Sequence, residues 1–266
     1  TGGSNRSPAA ATGLFGFKPS NGLIDTYGVL GIAPSLDCVG VLARSTRDVR
    51  LVTEAMAGKP LGAQGRASRT GLTIGICPEL TGAPVDGAVE TALAALLDQP
   101  MVRTVEIAFD GREEFVSAGL TILQYEFAQI YRKPIEENPD LGGDAVRAFL
   151  REGTGIGGDA YDRAIAIRAE ARARFMARMA DLDVLAVPTA PGAAPRLSDE
   201  LTQVNGELVP WGMAGGRFRR WANMLGMPAL AIPLDVPGGL PVSVQLAALP
   251  GRDAALLDLA ETLTGS

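Results

Sequence analysis

The stretch from Leu72 to Ile107 limits the fold of this chain more than any other. Leu72-Thr73-Ile74-Gly75-Ile76-Cys77 alternates as a β-strand does and is closed by Pro78. Asp86 then opens an Ala/Leu-rich helix that runs through Leu97, and Val102 to Ile107 reads as the next strand. A strand, a helix and a second strand in this order suggest a crossover connection, with parallel strands and the helix on the face of the sheet. The expected fold class is therefore α/β: a mixed, largely parallel sheet covered by helices. With 266 residues, 47% of them apolar, the chain can bury a sizeable core as one large domain or two small ones.

Other segments fit the same plan. Residues 44–57 place Val49, Val52 and Ala55-Met56 at helical spacing, with Ser45 able to cap the helix and Gly58 just past its end. Gly62 to Thr70 reads as a polar loop. Residues 112–133 and 160–181 read as helices, the second with one apolar stripe against a charged face. Between them, residues 140–158 predict a short helix and then a flexible Gly-rich connection. Its Gly153-Thr154-Gly155-Ile156-Gly157-Gly158 lacks the Lys-Ser/Thr of a phosphate-binding loop, and no strand precedes it. Asp183 to Val187 predicts a buried strand, and residues 192–212 a Pro/Gly-punctuated loop long enough to act as a lid. Arg217 to Leu225 should be helical, and Ala229 to Pro233 a strand. A hairpin turn is expected at Gly238-Gly239, a strand from Pro241 to Leu246, and a last helix from Asp253 to Thr264 with its acidic residues outside.

The opening residues, Thr1-Gly2-Gly3-Ser4-Asn5-Arg6-Ser7-Pro8, point to chemistry. Two consecutive glycines let the backbone take positive φ and approach another group closely. A serine after them stands at a tight turn, its hydroxyl beside bare backbone N–H groups. A serine nucleophile needs both: an exposed Oγ, and donors aimed at the oxyanion it creates. Gly-Gly-Ser also occurs in flexible linkers. Here, however, Ser7-Pro8-Ala9-Ala10-Ala11-Thr12-Gly13 follows and reads as a capped short helix, with Ser7 at N-cap, Pro8 at N1 and Gly13 past its end. A linker has no reason to lead into such an organised turn.

Taken together, TGGSNRSPAAATGLFGFKPSNG and APSLDCVGVLARSTRDV resemble the amidase signature family of serine hydrolases. The resemblance resumes in Asp183-Val184-Leu185-Ala186-Val187-Pro188-Thr189-Ala190-Pro191, in Asn223-Met224-Leu225-Gly226-Met227-Pro228-Ala229-Leu230, and in Gly239-Leu240-Pro241-Val242-Ser243-Val244-Gln245-Leu246. It runs in order along the chain, so residues 1–266 are read as the C-terminal portion of one amidase signature domain, with no separate second domain. Branches of the family with similar segments include the glutamyl-tRNA amidotransferases, in their A-type chain, and the allophanate hydrolases. The latter carry T-A-G-S where this chain has Thr1-Gly2-Gly3-Ser4.

The resemblance implies hydrolysis of amide carbon–nitrogen bonds through a Ser–cis-Ser–Lys triad. Ser4 matches the nucleophile, and the backbone N–H groups of Thr1, Gly2, Gly3 and Ser4 match the oxyanion hole. The chain contains no histidine, which agrees with a lysine-based relay and excludes Ser–His–Asp chemistry within it. In the family the lysine and the cis-serine lie upstream of the nucleophile, so both are expected outside this sequence, on an upstream segment or a companion chain. Lys18 matches a structural K-P element and is not read as their substitute. Arg6 and Asp37 match a frequent Arg and Asp of the family and are expected to brace the nucleophile loop as an ion pair; the alternative is two unrelated surface ion pairs. Tyr125, in Tyr125-Glu126-Phe127, matches a segment that can face the substrate pocket; the alternative is an aromatic packed in the core of a helix.

Charge narrows the partners. The net charge is −6 and the longest basic block is Arg217-Phe218-Arg219-Arg220, which disfavours direct nucleic-acid binding. No stretch of 18 apolar residues supports a membrane span. The two cysteines, Cys38 and Cys77, read as free buried thiols of a cytoplasmic protein, and neither a metal nor a cofactor is expected. The expected substrate is a small amide, and a homodimer is left open. The competing expectation is a non-catalytic assembly module that retains the outer half of the fold.

Overall fold

The computed structural model describes residues 1–62, 71–199, 201–237 and 239–265, with residues 212–215 described by their backbone alone. The loop expected at 62–70 and the turn expected at 238–239 lie outside the described residues except for Gly62 and Gly239. The chain begins with α1 (Arg6–Thr12), β1 (Phe15–Lys18), β2 (Val41–Ala43) and α2 (Thr46–Ala57). β3 (Leu72–Ile76), α3 (Pro78–Thr81), α4 (Gly87–Leu97) and β4 (Val102–Glu106) then form the crossover unit. α5 (Arg112–Glu137), α6 (Asp144–Thr154) and α7 (Gly158–Arg178) follow, and then β5 (Val184–Pro188). The last part comprises β6 (Leu201–Val204), β7 (Glu207–Pro210), α8 (Trp211–Leu225), β8 (Ala229–Leu234), β9 (Val242–Ala247) and α9 (Asp253–Thr264).

Seven strands form one sheet in the order β2-β1-β8-β9-β5-β3-β4. β3 pairs parallel with β4 and with β5, and the remaining neighbours pair antiparallel. Five strands (β2, β8, β5, β3 and β4) consequently run one way, while β1 and β9 run the other. The sheet is mixed as expected, with its parallel pairs confined to the β5-β3-β4 side.

Burial of both faces explains the sequence of the central strands. In β5, Val184 and Ala186 enter one apolar cluster with Phe15, Phe17, Ile74, Leu246 and Leu256. Leu185 and Val187 enter the other, with Phe115, Ile122, Phe175, Trp221 and Met224. A strand covered on both sides needs apolar residues at every position, so it shows no alternation. Local signals worked where a side chain reaches its own helix end. Ser45 accepts a hydrogen bond from the Asp48 amide at 3.1 Å, Asp86 accepts one from the Ala88 amide at 3.0 Å, and Gly58 closes α2 in the left-handed region at φ 65°.

Four expectations are corrected. Asn5, not Ser7, is the N-cap of α1, because the Gly3 carbonyl already accepts the amides of Arg6 and Ser7 at 2.9 and 2.8 Å. The Gly-rich connection shrinks to residues 155–157: Gly153 and Thr154 end α6 and Gly158 opens α7. Gly153 packs so closely on α5 that a Cβ there would strike the Gln124 carbonyl oxygen. The loop expected over residues 192–212 contains the antiparallel β6–β7 hairpin, turned by Asn205 at φ 51° and Gly206 at φ 90°. Asp253 is not on the outer face of α9 but buried, where its carboxylate accepts Ser20 N at 2.7 Å and Ser20 Oγ at 2.5 Å. Among the described residues no helix is long and apolar enough to cross a membrane.

Candidate active site

The loop Thr1–Asn5 lies directly before α1, which packs on β1, β8 and β9. Ser4 is exposed, and its hydroxyl has no hydrogen-bond partner among the described residues. Gly3 beneath it is buried at φ 118°, a conformation that L side chains rarely adopt. The amides of Gly2, Gly3 and Ser4 donate to no carbonyl or side chain among the described residues. They stay uncommitted beside Ser4 Oγ, as donors for a developing oxyanion must.

Side chains from distant elements anchor this loop. Arg6 is fully buried; its Nη1 donates to Gln245 Oε1 at 2.5 Å, and its Nη2 donates to the Arg219 carbonyl at 2.8 Å and to Asn223 Oδ1 at 2.9 Å. Gln245 in turn donates to the carbonyls of Phe218 and Pro188, and Arg219 Nη1 donates to the Thr189 carbonyl at 2.8 Å. The expected Arg6–Asp37 ion pair does not form. Asp37 instead accepts the Thr1 hydroxyl and the amides of Ile32 and Ala33, the latter two at 2.8 and 3.0 Å. Arg6 points inward to α8 and β9, while Asp37 closes its own turn, so each braces the Thr1–Asn5 loop from a different side.

Lys18 lines the crevice beneath Ser4, together with Thr1, Gly3, Asn5, Arg6 and Asn223. Its Nζ donates to the Pro19 carbonyl at 2.7 Å and to Asn21 Oδ1 at 2.8 Å, and Cys38 Sγ donates to the same Pro19 carbonyl at 3.4 Å. Burial lowers the Lys18 ammonium to about 8, and lowers the Arg6 guanidinium to about 9 with help from nearby Arg219. Burial also lowers Arg219 to about 10 and raises the Cys38 thiol. Arg6, Lys18 and Arg219 thus stack positive charge below Ser4, and the acceptors they bond are neutral oxygens. Such a field favours negative charge appearing on the Ser4 side of the loop.

The Ser35-Leu36-Asp37 segment is held as tightly. Ser35 N donates to Glu126 Oε2 at 2.9 Å, Arg168 Nη2 donates to the Ser35 carbonyl at 2.9 Å, and Asn223 Nδ2 donates to the Leu36 carbonyl at 2.9 Å. Tyr125 is half-buried and stacks on Tyr161 with ring centroids 4.4 Å apart; the Tyr161 hydroxyl donates to Glu126 at 2.9 Å. Sequence reasoning assigned no role to Arg219, Asn223 or Gln245. The available signal was a polar residue inside an apolar run, in Trp221-Ala222-Asn223-Met224-Leu225 and Val242-Ser243-Val244-Gln245-Leu246. Of the two thiols, Cys77 is buried as expected, whereas Cys38 is only partly so.

The mixed sheet thus carries an exposed serine on a glycine turn above buried cations. The family model described as Amidase matches residues 1–257, and the chain belongs to that family. The A-type chain of the glutamyl-tRNA(Gln) amidotransferase of Cenarchaeum symbiosum is 28% identical, aligning 99% of this chain with 62% of its own. A crystal structure of an amidase superposes with a TM-score of 0.90 at 28% identity, covering 100% of this chain and 61% of the other. The allophanate hydrolase of Kluyveromyces lactis superposes with a TM-score of 0.82 at 25% identity, covering 99% and 45%. The chain spans about three fifths of the curated relatives it matches, 62% and 60% for two of them.

Proposed function

We propose that residues 1–266 form the nucleophile-bearing portion of an amide hydrolase. Ser4 Oγ attacks the carbonyl carbon while the amides of Gly2, Gly3 and Ser4 hold the oxygen that becomes negative. The carbon–nitrogen bond then breaks, the amine leaves with a proton, and an ester to Ser4 remains. Water attacks that ester, releases the acid and returns the proton to Ser4. The proton moves through a lysine and a cis-serine supplied from outside these residues, by an upstream segment or a companion chain. The observation that carries this reading is the exposed Ser4 hydroxyl, unpartnered among the described residues, beside three amides that are likewise uncommitted.

A fluorophosphonate probe followed by intact-mass measurement tests it. The expected result is one adduct on Ser4 in protein that includes the lysine-bearing part, lost in Ser4→Ala. An adduct that maps elsewhere, or none when that part is present, would overturn the hydrolase reading and leave a non-catalytic assembly module.

A further inference from the structure

A cavity of about 630 Å³ lies between α5, α8, α3 and β7, with an apolar wall that includes Phe115, Leu120, Trp221 and Met224. Three arginines also line it: Arg112, Arg217 and Arg220. Two of them are engaged. Arg112 bonds Glu113 and donates to the Thr81 carbonyl at 2.7 Å, and Arg217 reaches Glu113 at 3.6 Å. Arg220 differs in having no hydrogen bond or ion pair among the described residues; its buried Nε is unsatisfied, as is that of Arg112.

The position of this unpaired guanidinium is informative. A Cβ built on Gly2 would lie 3.6 Å from Arg220 Nε, and one built on Gly216 would lie 3.4 Å from Arg220 Nη2. The guanidinium therefore sits where the apolar cavity meets the turn that carries Ser4. Arg220 is half-buried with its Nε shielded from solvent; a cation so placed without a counter-charge is costly unless a ligand completes it, and a guanidinium matches a carboxylate in geometry as well as in charge. Burial lowers its pKa, yet a guanidinium stays charged at neutral pH.

We propose that this cavity, with Arg220 at its Ser4 end, binds substrates that join an apolar body to a carboxylate a few bonds from the scissile amide. The apolar wall holds the body, and Arg220 selects the anion and sets its distance from Ser4. The reaction assigned to such a substrate rests on the hydrolase reading above, whereas the binding site does not.

The test is a calorimetric titration of the Ser4→Ala protein with two amides of the same skeleton. One is 4-phenylbutanamide and the other is 3-carboxy-4-phenylbutanamide, which differs by a single carboxylate. The carboxylated amide should bind roughly tenfold tighter or more, as expected for a charge-assisted pair. Arg220→Gln should abolish that preference and Arg220→Lys should keep part of it. Equal affinity of the unsubstituted pocket for the two amides, binding of neither, or an undiminished preference in Arg220→Gln would overturn the proposal. The first comparison needs no Arg220 variant, so it stands even where a variant fails to fold. If the preference holds but protein with Ser4 intact and the lysine-bearing part present never cleaves the amide, the hydrolase reading fails and the site survives.

Discussion

Gly3 and Arg219 touch where no larger residue would fit. A Cβ on Gly3 would lie 2.5 Å from Arg219 Cβ and 3.0 Å from its Nε, and Gly3 already holds φ 118°. The turn beneath Ser4 is therefore shaped both by backbone freedom and by a side chain from α8. Gly3→Ala should cost about 1–3 kcal/mol from backbone strain alone. It should also slow fluorophosphonate labelling of Ser4 roughly a hundredfold, because a shift of the order of 1 Å misplaces the oxyanion donors. Labelling rate and a urea unfolding curve on the same sample check both.

Arg6→Ala removes the buried guanidinium that joins α1 to Gln245, Asn223 and the Arg219 carbonyl. Three acceptors would lose their donor and a cavity would open, so a loss of about 3 kcal/mol in unfolding free energy is expected. Arg6→Lys should recover only part, since an ammonium cannot span the same fork of acceptors. Chemical denaturation of the two variants distinguishes the outcomes.

Asp253→Ala tests a buried carboxylate close to Lys18. The Asp253 carboxylate accepts both Ser20 N and Ser20 Oγ, and Ser20 Oγ accepts Gly251 N at 2.8 Å. These buried bonds tie the segment after β1 to the start of α9. Their loss should cost about 2 kcal/mol, measured by thermal or urea unfolding.

Lys18 makes stability depend on pH. Its folded value is near 8 and the free side chain titrates at 10.5, so between these limits the unfolded chain binds more protons. Stability contributed through Lys18 therefore rises as pH goes from about 8 to about 10.5 and is flat on either side. The Cys38 thiol, raised by burial, acts in the opposite direction above its ordinary range, as does Cys77. Subtracting the unfolding free energy of Lys18→Met at each pH removes the Cys77 contribution, while Cys38, whose thiol the Lys18 charge lowers, rises further in the variant and adds to the difference in the same direction. The difference should climb in favour of the unsubstituted protein across that interval, and a flat difference would contradict the burial of Lys18.

Much of the fold was legible because its signals are local. The period of Leu72–Ile76, the caps Ser45 and Asp86 and the left-handed Gly13 and Gly58 depend on residues within a turn or two of each other. Local reading failed where a distant partner competed. Ser7 was displaced as N-cap by the Gly3 carbonyl, Asp253 was drawn inward by Ser20, and Gly153 was held helical by its contact with α5. Asn205-Gly206 is a hairpin signal in the sequence, yet the Pro and Gly residues around it made the whole segment read as loop.

The sequence by itself determined the α/β class, the strands and helices with clear periodicity, and Ser4 as a serine on a glycine turn. Covalent geometry and the burial of one or two faces are enough to impose those patterns. Only the tertiary structure decided what lies beneath that turn. Arg6 meets Asn223 and Gln245 across 217 and 239 residues of chain, and Arg219 reaches Thr189 across 30. The partner of a buried charge depends on which acceptors share its desolvated space, and the packing of α8 and β9 against α1 sets that space. The same packing separated Arg6 from Asp37 and left Arg220, at the inner end of the cavity, without a partner among the described residues.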